Sequence, residues 1–359
     1  MGSSPIISTN EHTRDGPEHS MKAIVQDKYG SPDVLELREI DQPVVKDDDV
    51  LVRVHAASVN PADWHLLTGT PYVARMASGL RKPKVQIPGL DMAGRVEAVG
   101  GNVTQFRPGD EVFGQNASAY AEYVCVPEDG IAPKPANLTF EQAAAIPVAG
   151  ITALQGLRDK GRLQPGQKVL IIGASGGVGT FAVQIAKAFG ADVTGVCSTR
   201  NVDLVRSIGA DHVIDYTQED FTRSGQRYDL IFQLAGTRSP SDCRRALTSK
   251  GTLVLSSGEG GGRWLGPMGR IVSALVRSRF GSQKMVMWIA KPTKKDLVDL
   301  KELIEAGKVT PVIDRRYTLR EVPEALRYQG ERHTQGKTVI TMGSEREAPT
   351  EGSWRGSSR

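Results

Sequence analysis

The sequence predicts an α/β protein in which an antiparallel β domain is followed by a doubly wound parallel sheet. Three observations support this class: strand patterns of period two between Met21 and Pro135, alternating strand and helix patterns from Lys168 onward, and a glycine-rich turn at the start of that alternation. At roughly 150 residues per domain, the chain corresponds to about two domains. Its length is 359 residues.

The first part contains short strand patterns and turns without a long helical period. Residues 49–55 place Val50, Val52 and Val54 on one face, as in a half-buried strand. Turn signals separate the further strand patterns, which lie at residues 94–99, 111–113 and 120–126. Strands joined by short turns commonly pair antiparallel, so this part is predicted to be an antiparallel β domain.

The second part begins with a helix signal, because Thr139 and Gln142 have the spacing of a capping box. Residues 168–172 form a continuous apolar run that is typical of a strand buried on both faces. Apolar residues from Val178 to Phe189 then follow a helical period. The pattern continues with strands at residues 192–196, 212–214, 228–234 and 252–255 and with helices at residues 202–208 and 241–248. This alternation is typical of a parallel sheet covered by helices.

The composition excludes several classes of protein. Hydrophobic residues make up 39% of the chain and the formal net charge is +4, which excludes wholesale disorder and gives no sign of nucleic-acid binding. The cysteines, Cys125, Cys197 and Cys243, are far apart, which indicates a reducing compartment without disulfides. No apolar run approaches the ~18 residues of a membrane span, so we expect a cytoplasmic protein without an integral membrane segment. Residues 1–20 and 344–359 are polar and are predicted to be a disordered leader and tail.

Residues 173–179, with the sequence GASGGVG, lie between the predicted buried strand and the predicted amphipathic helix. Glycines permit a tight turn there and let the backbone N–H groups at the helix start approach a pyrophosphate. In this context the motif predicts a dinucleotide-binding site. The alternative is a glycine-rich turn that only packs the strand against the helix.

The end of the next predicted strand indicates which dinucleotide is bound. An Asp or Glu at this place would bind the ribose hydroxyls of NAD, but residues 196–200 read VCSTR. Ser198 and Arg200 can hydrogen-bond to a 2′-phosphate, and no carboxylate repels it. We therefore expect NADPH rather than NADH. The alternative is that Arg200 is a solvated residue at the start of a helix.

Further motifs surround this turn. They are GQKVL at 166–170, ASGGVG at 174–179, Gln184, Lys187, NPAD at 60–63, PGLDMAG at 88–94 and HTQGK at 333–337. Together they resemble the medium-chain dehydrogenase/reductase superfamily in its zinc-free quinone oxidoreductase (zeta-crystallin-like) branch. The resemblance implies a GroES-like catalytic domain at residues 21–146, a Rossmann NADP-binding domain at residues 147–285 and a return to the catalytic domain at residues 286–343. It also suggests a homodimer formed through edge strands of the Rossmann sheet.

The resemblance also addresses the catalytic zinc of the superfamily's alcohol dehydrogenases. Those enzymes carry a Cys where this chain has Asn60, a His-Glu pair where it has Leu90 and Asp91, and another Cys where it has Ala149. Leu and Ala cannot ligate a metal, so no zinc site is expected.

The resemblance implies roles for individual residues in the cleft between the domains. Asn60, near the nicotinamide ribose, is one candidate catalytic residue. Tyr72 is the other, by its match to the proton-donating tyrosine of related enoyl-thioester reductases; its alternative is a loop or pocket-wall residue. Asp63 would support the loop that carries Asn60. The candidate cofactor-binding residues are Asn60, Asp63, Thr152, Ala174, Ser175, Gly176, Gly177, Val178, Ser198, Arg200, Tyr216, Gly236, Ser257 and Lys337.

Without a metal Lewis acid a plain alcohol is a poor substrate, whereas quinones and α,β-unsaturated carbonyls accept a hydride at an electrophilic carbon. We therefore expect a zinc-independent, NADPH-dependent reductase of a quinone, enone or enal, with the proton supplied by a side chain or by water. One alternative is an enoyl-thioester reductase whose basic entrance contains Arg75, Arg81, Lys82 and Lys84. Another is a non-catalytic NADPH-binding sensor or scaffold.

Residues 263–280 combine apolar side chains with four arginines, and two interpretations remain open. The segment could be a membrane-surface helix or a lid for a lipid-like substrate. Alternatively, it packs at the cleft or at a subunit interface with its arginines solvated.

Overall fold

A computed structural model describes residues 20–115, 118–236, 238–256, 282–331 and 334–343. The described strands form a two-stranded pair, a seven-stranded sheet and a six-stranded sheet. The small pair is antiparallel and consists of β1 (Ser20–Gln26) and β2 (Leu35–Asp41). The predicted fold class is confirmed, because a mainly antiparallel sheet, in which one pair of strands is parallel, is combined with a wholly parallel sheet.

The seven-stranded sheet belongs to the antiparallel part. Its strands are β3 (Asp49–Val59), β4 (Asp91–Val99), β5 (Glu111–Gln115), β6 (Tyr123–Pro127), β7 (Ile131–Pro133), β14 (Ile313–Thr318) and β15 (Lys337–Thr341). They are ordered β14-β15-β3-β4-β5-β7, and β6 also pairs with β3. Antiparallel pairing of β15 with β3 sets Thr338 opposite Val59. The strands β14 and β15, late in the chain, therefore join the sheet formed by β3 to β7.

The six-stranded sheet is parallel throughout. Its strands are β8 (Lys168–Ile172), β9 (Asp192–Cys197), β10 (His212–Asp215), β11 (Tyr228–Gln233), β12 (Leu247–Leu255) and β13 (Lys284–Met287). The order β10-β9-β8-β11-β12-β13 is that of a doubly wound dinucleotide fold. In such sheets a ligand binds at the carboxyl edge where the strand order reverses, which is beside β8.

Helices cover both large sheets. They are α1 (Pro61–Thr68), α2 (Arg75–Ser78), α3 (Phe140–Ala144), α4 (Pro147–Gln155), α5 (Gly177–Ala188), α6 (Val202–Ser207), α7 (Pro240–Arg245), α8 (Lys294–Glu305) and α9 (Val322–Gly330). A π-helical turn, Gly156–Lys160, extends α4. The predicted capping box forms at α3, where the Thr139 hydroxyl accepts a hydrogen bond from the Gln142 N–H.

The predicted helix at residues 241–248 extends three residues beyond the end of the observed helix. The structure ends α7 at Arg245 and begins β12 at Leu247, which pairs with Tyr228 of β11. Pairing with a neighbouring strand satisfies the backbone as a sheet ladder, so tertiary contact overrides the local helical pattern.

One hydrophobic core connects the two large sheets. Ile146 and Leu154 of the α3–α4 region pack in the same buried cluster as Phe113 of the seven-stranded sheet and Phe232 of the six-stranded sheet. Fully buried apolar side chains contribute about 2 kcal/mol each, so this cluster holds the sheets in a fixed relation.

Several sequence expectations lie outside the described residues. These are Ser257, the segment at residues 263–280, and nearly all of the predicted leader and tail. The boundaries of the domains likewise stay predictions. None of the described helices combines the length and the apolar character that crossing a bilayer requires.

Candidate functional site

The glycine-rich turn joins β8 to α5 at the carboxyl edge of the parallel sheet. Gly173 has a φ of +88°, a conformation that L side chains rarely adopt. A Cβ on Gly179 would lie 2.1 Å from the Gly173 carbonyl oxygen, so only glycine lets α5 start this close to β8. In contrast, a Cβ on Gly176 would meet no atom nearer than 3.6 Å. The space beside Gly176 is therefore open to a ligand.

The first turn of α5 supplies hydrogen-bond donors to this space. The N–H of Thr180 bonds to the Gly176 carbonyl, 2.9 Å away, as the helix begins. The N–H groups of Gly177, Val178 and Gly179 precede that bond and have no helical carbonyl to pair with. Together with the positive end of the helix dipole, they fit the pyrophosphate of a dinucleotide.

Asn201 joins the two predicted phosphate-binding serines. Its Nδ2 donates to Ser175 Oγ at 2.9 Å and to Ser198 Oγ at 3.2 Å. The side chain is 5% exposed, and its Oδ1 is buried without a hydrogen-bond partner among the described residues. Sequence reasoning missed Asn201, although an amide directly after the predicted Ser198–Arg200 segment was a signal that could have found it.

Four further predicted cofactor-binding residues lie just past the carboxyl ends of β8, β9, β10 and β11. Arg200 is exposed, as is Tyr216, whose N–H donates to the Cys197 carbonyl at 3.0 Å. Gly236 follows β11 with a φ of +83°. Ala174 is buried, and its N–H donates to the Val196 carbonyl at 3.1 Å. The structure thus brings these residues to one edge of the sheet.

A second group of predicted residues forms a buried polar cluster between β3, β4 and β15. The side-chain amide of Asn60 donates from Nδ2 to Asp91 Oδ2 at 2.9 Å, and its Oδ1 accepts from the ammonium of Lys337. The Lys337 ammonium also donates to the Val59 carbonyl at 3.0 Å and lies 3.5 Å from Asp91 Oδ2. Both polar atoms of Asn60 are therefore used inside the protein, and its side chain is 1% exposed.

Asp63 and Asp91 hold the backbone around this cluster. Asp63 Oδ2 accepts from the Asn60 N–H at 2.8 Å, at the start of α1. Asp91 accepts from the Ser58 hydroxyl at 2.9 Å and, through Oδ1, from the Val148 N–H at 3.0 Å. Since Val148 belongs to α4, Asp91 ties β4 both to β3 and to the helix that leads into the parallel sheet.

Burial dominates the electrostatics of the cluster. Burial, reinforced by the charge of Asp91, raises the pKa of Asp63 to about 7. Burial also raises the pKa of Asp91, while Lys337 and the hydrogen bonds from neighbouring groups oppose that rise. Burial lowers the pKa of Lys337, and the two carboxyl groups counteract it. The three groups thus depend on one another for their charge states.

The buried cluster and the glycine-rich turn are in contact. The Gly336 N–H donates to the Ser175 carbonyl at 2.8 Å, and Gly176 and Gly336 form a parallel β-bridge. A Cβ on Gly177 would lie 3.0 Å from Lys337 Cδ. The stem of Lys337 therefore passes beside the glycine-rich turn, while its ammonium reaches Asn60.

The contacts of Tyr72 and Thr152 differ from those of the buried polar cluster. The guanidinium of Arg75 lies 4.6 Å from the ring centroid of Tyr72 and 4.4 Å from that of Tyr29. Arg75 Nε also donates to the Gly69 carbonyl at 2.9 Å, so the Tyr72 ring belongs to a cation–π group of the loop after α1. Thr152 is 8% exposed on α4, which packs against α5.

The place of the superfamily's catalytic zinc does not fit a metal. Asn60 and Asp91 are hydrogen-bonded to each other and to Lys337, and Ala149 has no donor atom. A cationic ammonium beside these groups disfavours a second cation. Within the described ranges, no three His, Cys, Asp or Glu side chains are grouped closely enough to hold a metal ion.

Comparison with known proteins agrees with this architecture. The alcohol dehydrogenase GroES-like domain family matches residues 46–136, and the zinc-binding dehydrogenase family matches residues 208–340. The mitochondrial NAD(P)H oxidoreductase RTN4IP1 of Bos taurus is 35% identical, over 90% of this chain and 89% of its own length. The chloroplastic NADPH-dependent alkenal/one oxidoreductase of Arabidopsis thaliana is 33% identical, over 89% of this chain and 79% of its own length.

Solved structures give the same result. The quinone oxidoreductase from Coxiella burnetii superimposes with a TM-score of 0.80 at 30% identity, covering 90% of this chain and all of that one. The Escherichia coli quinone oxidoreductase, solved in complex with NADPH, gives a TM-score of 0.77 at 25% identity, covering 89% of this chain and all of that one. The side chains at the zinc position are consistent with the zinc-free quinone oxidoreductase branch. The chain therefore belongs to the medium-chain dehydrogenase/reductase superfamily of oxidoreductases.

Proposed function

We propose that the chain is a zinc-independent, NADPH-dependent reductase of quinones or α,β-unsaturated carbonyls. The observation that carries the proposal is the hydrogen bond between Gly336 and Ser175, which sets the glycine-rich turn directly against the polar cluster of Asn60, Asp91 and Lys337, whose side chains do not suit a metal ion. The names of the Arabidopsis and Coxiella burnetii relatives, an alkenal/one oxidoreductase and a quinone oxidoreductase, support the substrate class.

In this proposal the cofactor is held at the carboxyl edge of the parallel sheet. The N–H groups at the start of α5 and the Ser175 hydroxyl bind the pyrophosphate. Ser198 and Arg200 bind the 2′-phosphate, and Tyr216 and Gly236 border the cofactor. Bound NADPH supplies the hydride.

The buried cluster positions the backbone of the reaction site. Lys337 and Asp91 fix the amide of Asn60, and Asp63 fixes its N–H, so the loop between β3 and α1 keeps one conformation beside the turn. Hydride transfer then needs the substrate only to be oriented and its negative charge stabilised.

The proton that completes the reduction comes from Tyr72 or from water. Tyr72 is half-buried at the start of a 3-10 helix, Tyr72–Ala74, and is in contact with the Arg75 cation. If its hydroxyl donates the proton, Tyr72→Phe lowers enone reduction by about 100-fold and leaves NADPH affinity unchanged. Unchanged enone reduction in this variant would assign the proton to water.

The proposed function is tested by following the oxidation of NADPH and NADH with a 1,4-quinone and with a simple enone, in the presence of a chelator. Faster turnover with NADPH, insensitive to the chelator, is the expected result. Hydroquinone or the saturated ketone, identified by mass spectrometry, then distinguishes the two acceptor classes. Activity that is abolished by the chelator and restored by zinc would overturn the proposal.

A second candidate function is the reduction of enoyl thioesters. Arg81, Lys82 and Lys84 are exposed, and the sequence between Asp63 and Asp91 contains no acidic residue. Such a surface attracts the phosphates of a coenzyme A or phosphopantetheine group. An enoyl-CoA and a short enone with the same double bond separate the two functions: a thioester reductase prefers the CoA form, and Lys82→Ala with Lys84→Ala removes that preference.

Three related expectations remain part of the proposal. NADPH binding without turnover on any of these acceptors would favour the non-catalytic sensor.

The predicted homodimer is tested by light scattering of the purified chain. The predicted cytoplasmic location is tested by fractionation, since the Bos taurus and Arabidopsis relatives are named as mitochondrial and chloroplastic.

A further inference from the structure

We propose that Asn201 is a positioning residue that directs the hydroxyl hydrogens of Ser175 and Ser198 toward the phosphates of the bound cofactor. The inference rests on the NADPH dependence proposed above and extends it to a residue that acts through the two serines. One side chain would in this way prepare the pyrophosphate site and the 2′-phosphate site together.

The geometry that supports this role is a three-residue bridge across the edge of the sheet. Ser175 follows β8, Ser198 follows the neighbouring strand β9, and Asn201 lies just before α6. A single amide nitrogen of Asn201 donates to both hydroxyl oxygens, at 2.9 and 3.2 Å. Across the described parts of the chain, no other side-chain hydrogen bond to either hydroxyl is found.

Helix capping does not account for the side chain of Asn201. It stands at the N-cap of α6, where an Asn side chain commonly accepts a bond from a backbone N–H. Here it makes no capping hydrogen bond, and its Oδ1 is buried without a partner among the described residues. Burying an unpaired carbonyl oxygen is unfavourable, so the local fold alone does not explain this orientation.

The direction of the two hydrogen bonds determines what the serines can do. A hydroxyl has one hydrogen to donate and two lone pairs. Because Nδ2 can only donate, Ser175 and Ser198 accept from it, and each hydroxyl keeps its hydrogen for another acceptor. A phosphate oxygen is such an acceptor and cannot itself donate when ionised.

The opposite orientation of the amide is unfavourable for two reasons. It would bury two unpaired N–H hydrogens in place of one unpaired oxygen. It would also make both serines donate to Asn201 Oδ1, which would present lone pairs to the anionic cofactor. The observed orientation is therefore the one that suits anion binding.

The test compares the wild-type chain with Asn201→Asp and Asn201→Ala by isothermal titration calorimetry. The probes are NADPH, NADH and adenosine 2′,5′-bisphosphate, which carries the 2′-phosphate without the nicotinamide half. In Asn201→Asp a carboxylate replaces the donor, so both hydroxyls turn to donate to it. We expect NADPH affinity to fall by at least about 10-fold, and NADH affinity to fall less, because NADH has only the pyrophosphate to lose.

Asn201→Ala tests the same idea without adding a charge. NADPH affinity is expected to fall by about 5-fold in this variant. In a chain that already carries Ser175→Ala and Ser198→Ala, the further change Asn201→Ala is expected to have less than about 2-fold effect, since Asn201 acts through those hydroxyls. Asn137→Ala, which removes an amide bonded to the Ile304 carbonyl, is the matched control and should leave affinity unchanged.

The outcomes separate the inference from the proposed function. If the wild-type chain binds neither NADPH nor the bisphosphate, the proposed function fails. If the wild-type chain binds NADPH but both Asn201 variants bind it equally well, the inference about Asn201 is overturned. Equal effects of Asn201→Ala with and without the serines would also overturn it, because a purely structural role does not depend on their hydroxyls.

Discussion

The ammonium of Lys337 lies 3.5 Å from the carboxylate of Asp91, and both side chains are almost fully buried. This ion pair joins β15, at the end of the chain, to β4, near its beginning. The ammonium of the same lysine donates a hydrogen bond to Asn60, and its aliphatic stem packs beside Gly177. One side chain therefore connects the returning strand, the proposed reaction site and the proposed phosphate site.

Lys337→Met is expected to lower both stability and activity. The methionine keeps much of the apolar stem, but it leaves the Asp91 carboxylate buried without its cation, which costs about 3–5 kcal/mol. Asn60 Oδ1 also loses its donor, so we expect kcat to fall with a smaller change in the Kd of NADPH. Urea unfolding and single-turnover kinetics measure the two effects.

Two further variants check the origin of those effects. Lys134→Met removes another buried lysine, which donates to the Leu138 carbonyl and pairs with Glu111 in the same sheet. It should lower stability without the specific loss of kcat. Combining Lys337→Met with Asp91→Asn should recover part of the lost stability, because no carboxylate is then left unpaired. A double variant as unstable as the sum of the single variants would contradict the ion-pair explanation.

Gly176→Ala and Gly179→Ala form a pair that separates folding from cofactor binding. At Gly179 a Cβ would lie 2.1 Å from a carbonyl oxygen, so this variant is expected to lose several degrees of Tm. At Gly176 the nearest atom would be 3.6 Å away, so this variant should fold normally. Its methyl group would occupy the space of the pyrophosphate, and NADPH affinity is expected to fall by about 10-fold or more.

Thermal unfolding and calorimetric titration of the two alanine variants give the measurement. Normal NADPH binding by a folded Gly176→Ala variant would mean that the pyrophosphate does not approach this part of the turn. Unchanged Tm in Gly179→Ala would mean that the contact with Gly173 relaxes at little cost.

The sequence predicts the fold class and the glycine-rich turn between strand and helix because both depend on local patterns. The strand over Lys168–Ile172, the helix over Gly177–Ala188 and the glycines between them lie within a few residues of one another. Where neighbouring strands compete with local pattern, as at Leu247, the prediction is wrong because sheet pairing with Tyr228 decides the conformation.

The buried cluster is beyond such reasoning because its contacts span long distances in sequence. Asn60 and Asp91 are 31 residues apart, and Lys337 is 277 residues from Asn60. Resemblance led to Asn60, Asp63 and Lys337 individually, but no spacing rule predicts that the lysine and the amide bond to each other. Asn201 directly follows the predicted Ser198–Arg200 segment, but its bond to Ser175, 26 residues earlier on another strand end, was likewise not predictable from spacing.

Asp63 is expected to make the stability of the chain depend on pH. Its pKa is raised to about 7 in the folded protein, chiefly by burial, whereas an unfolded Asp titrates near ~3.9. Between these values the folded state holds a proton that the unfolded state has lost. The unfolding free energy therefore falls as pH rises from about 4 to about 7, and this contribution is constant above that range.

Asp63→Asn removes the titrating group and keeps an oxygen that can accept from the Asn60 N–H. Urea unfolding at about pH 5 and about pH 8 should show a smaller decrease for this variant than for the wild-type chain. Asp33→Asn is the control. A hydrogen bond from Arg327 lowers the pKa of Asp33, so Asp33 stays ionised between about pH 5 and about pH 8. Its loss should therefore not alter the change of unfolding free energy with pH. Equal pH slopes in the wild-type chain and Asp63→Asn would show that Asp63 is already ionised in the folded protein at about pH 5, and that Lys337 outweighs its burial.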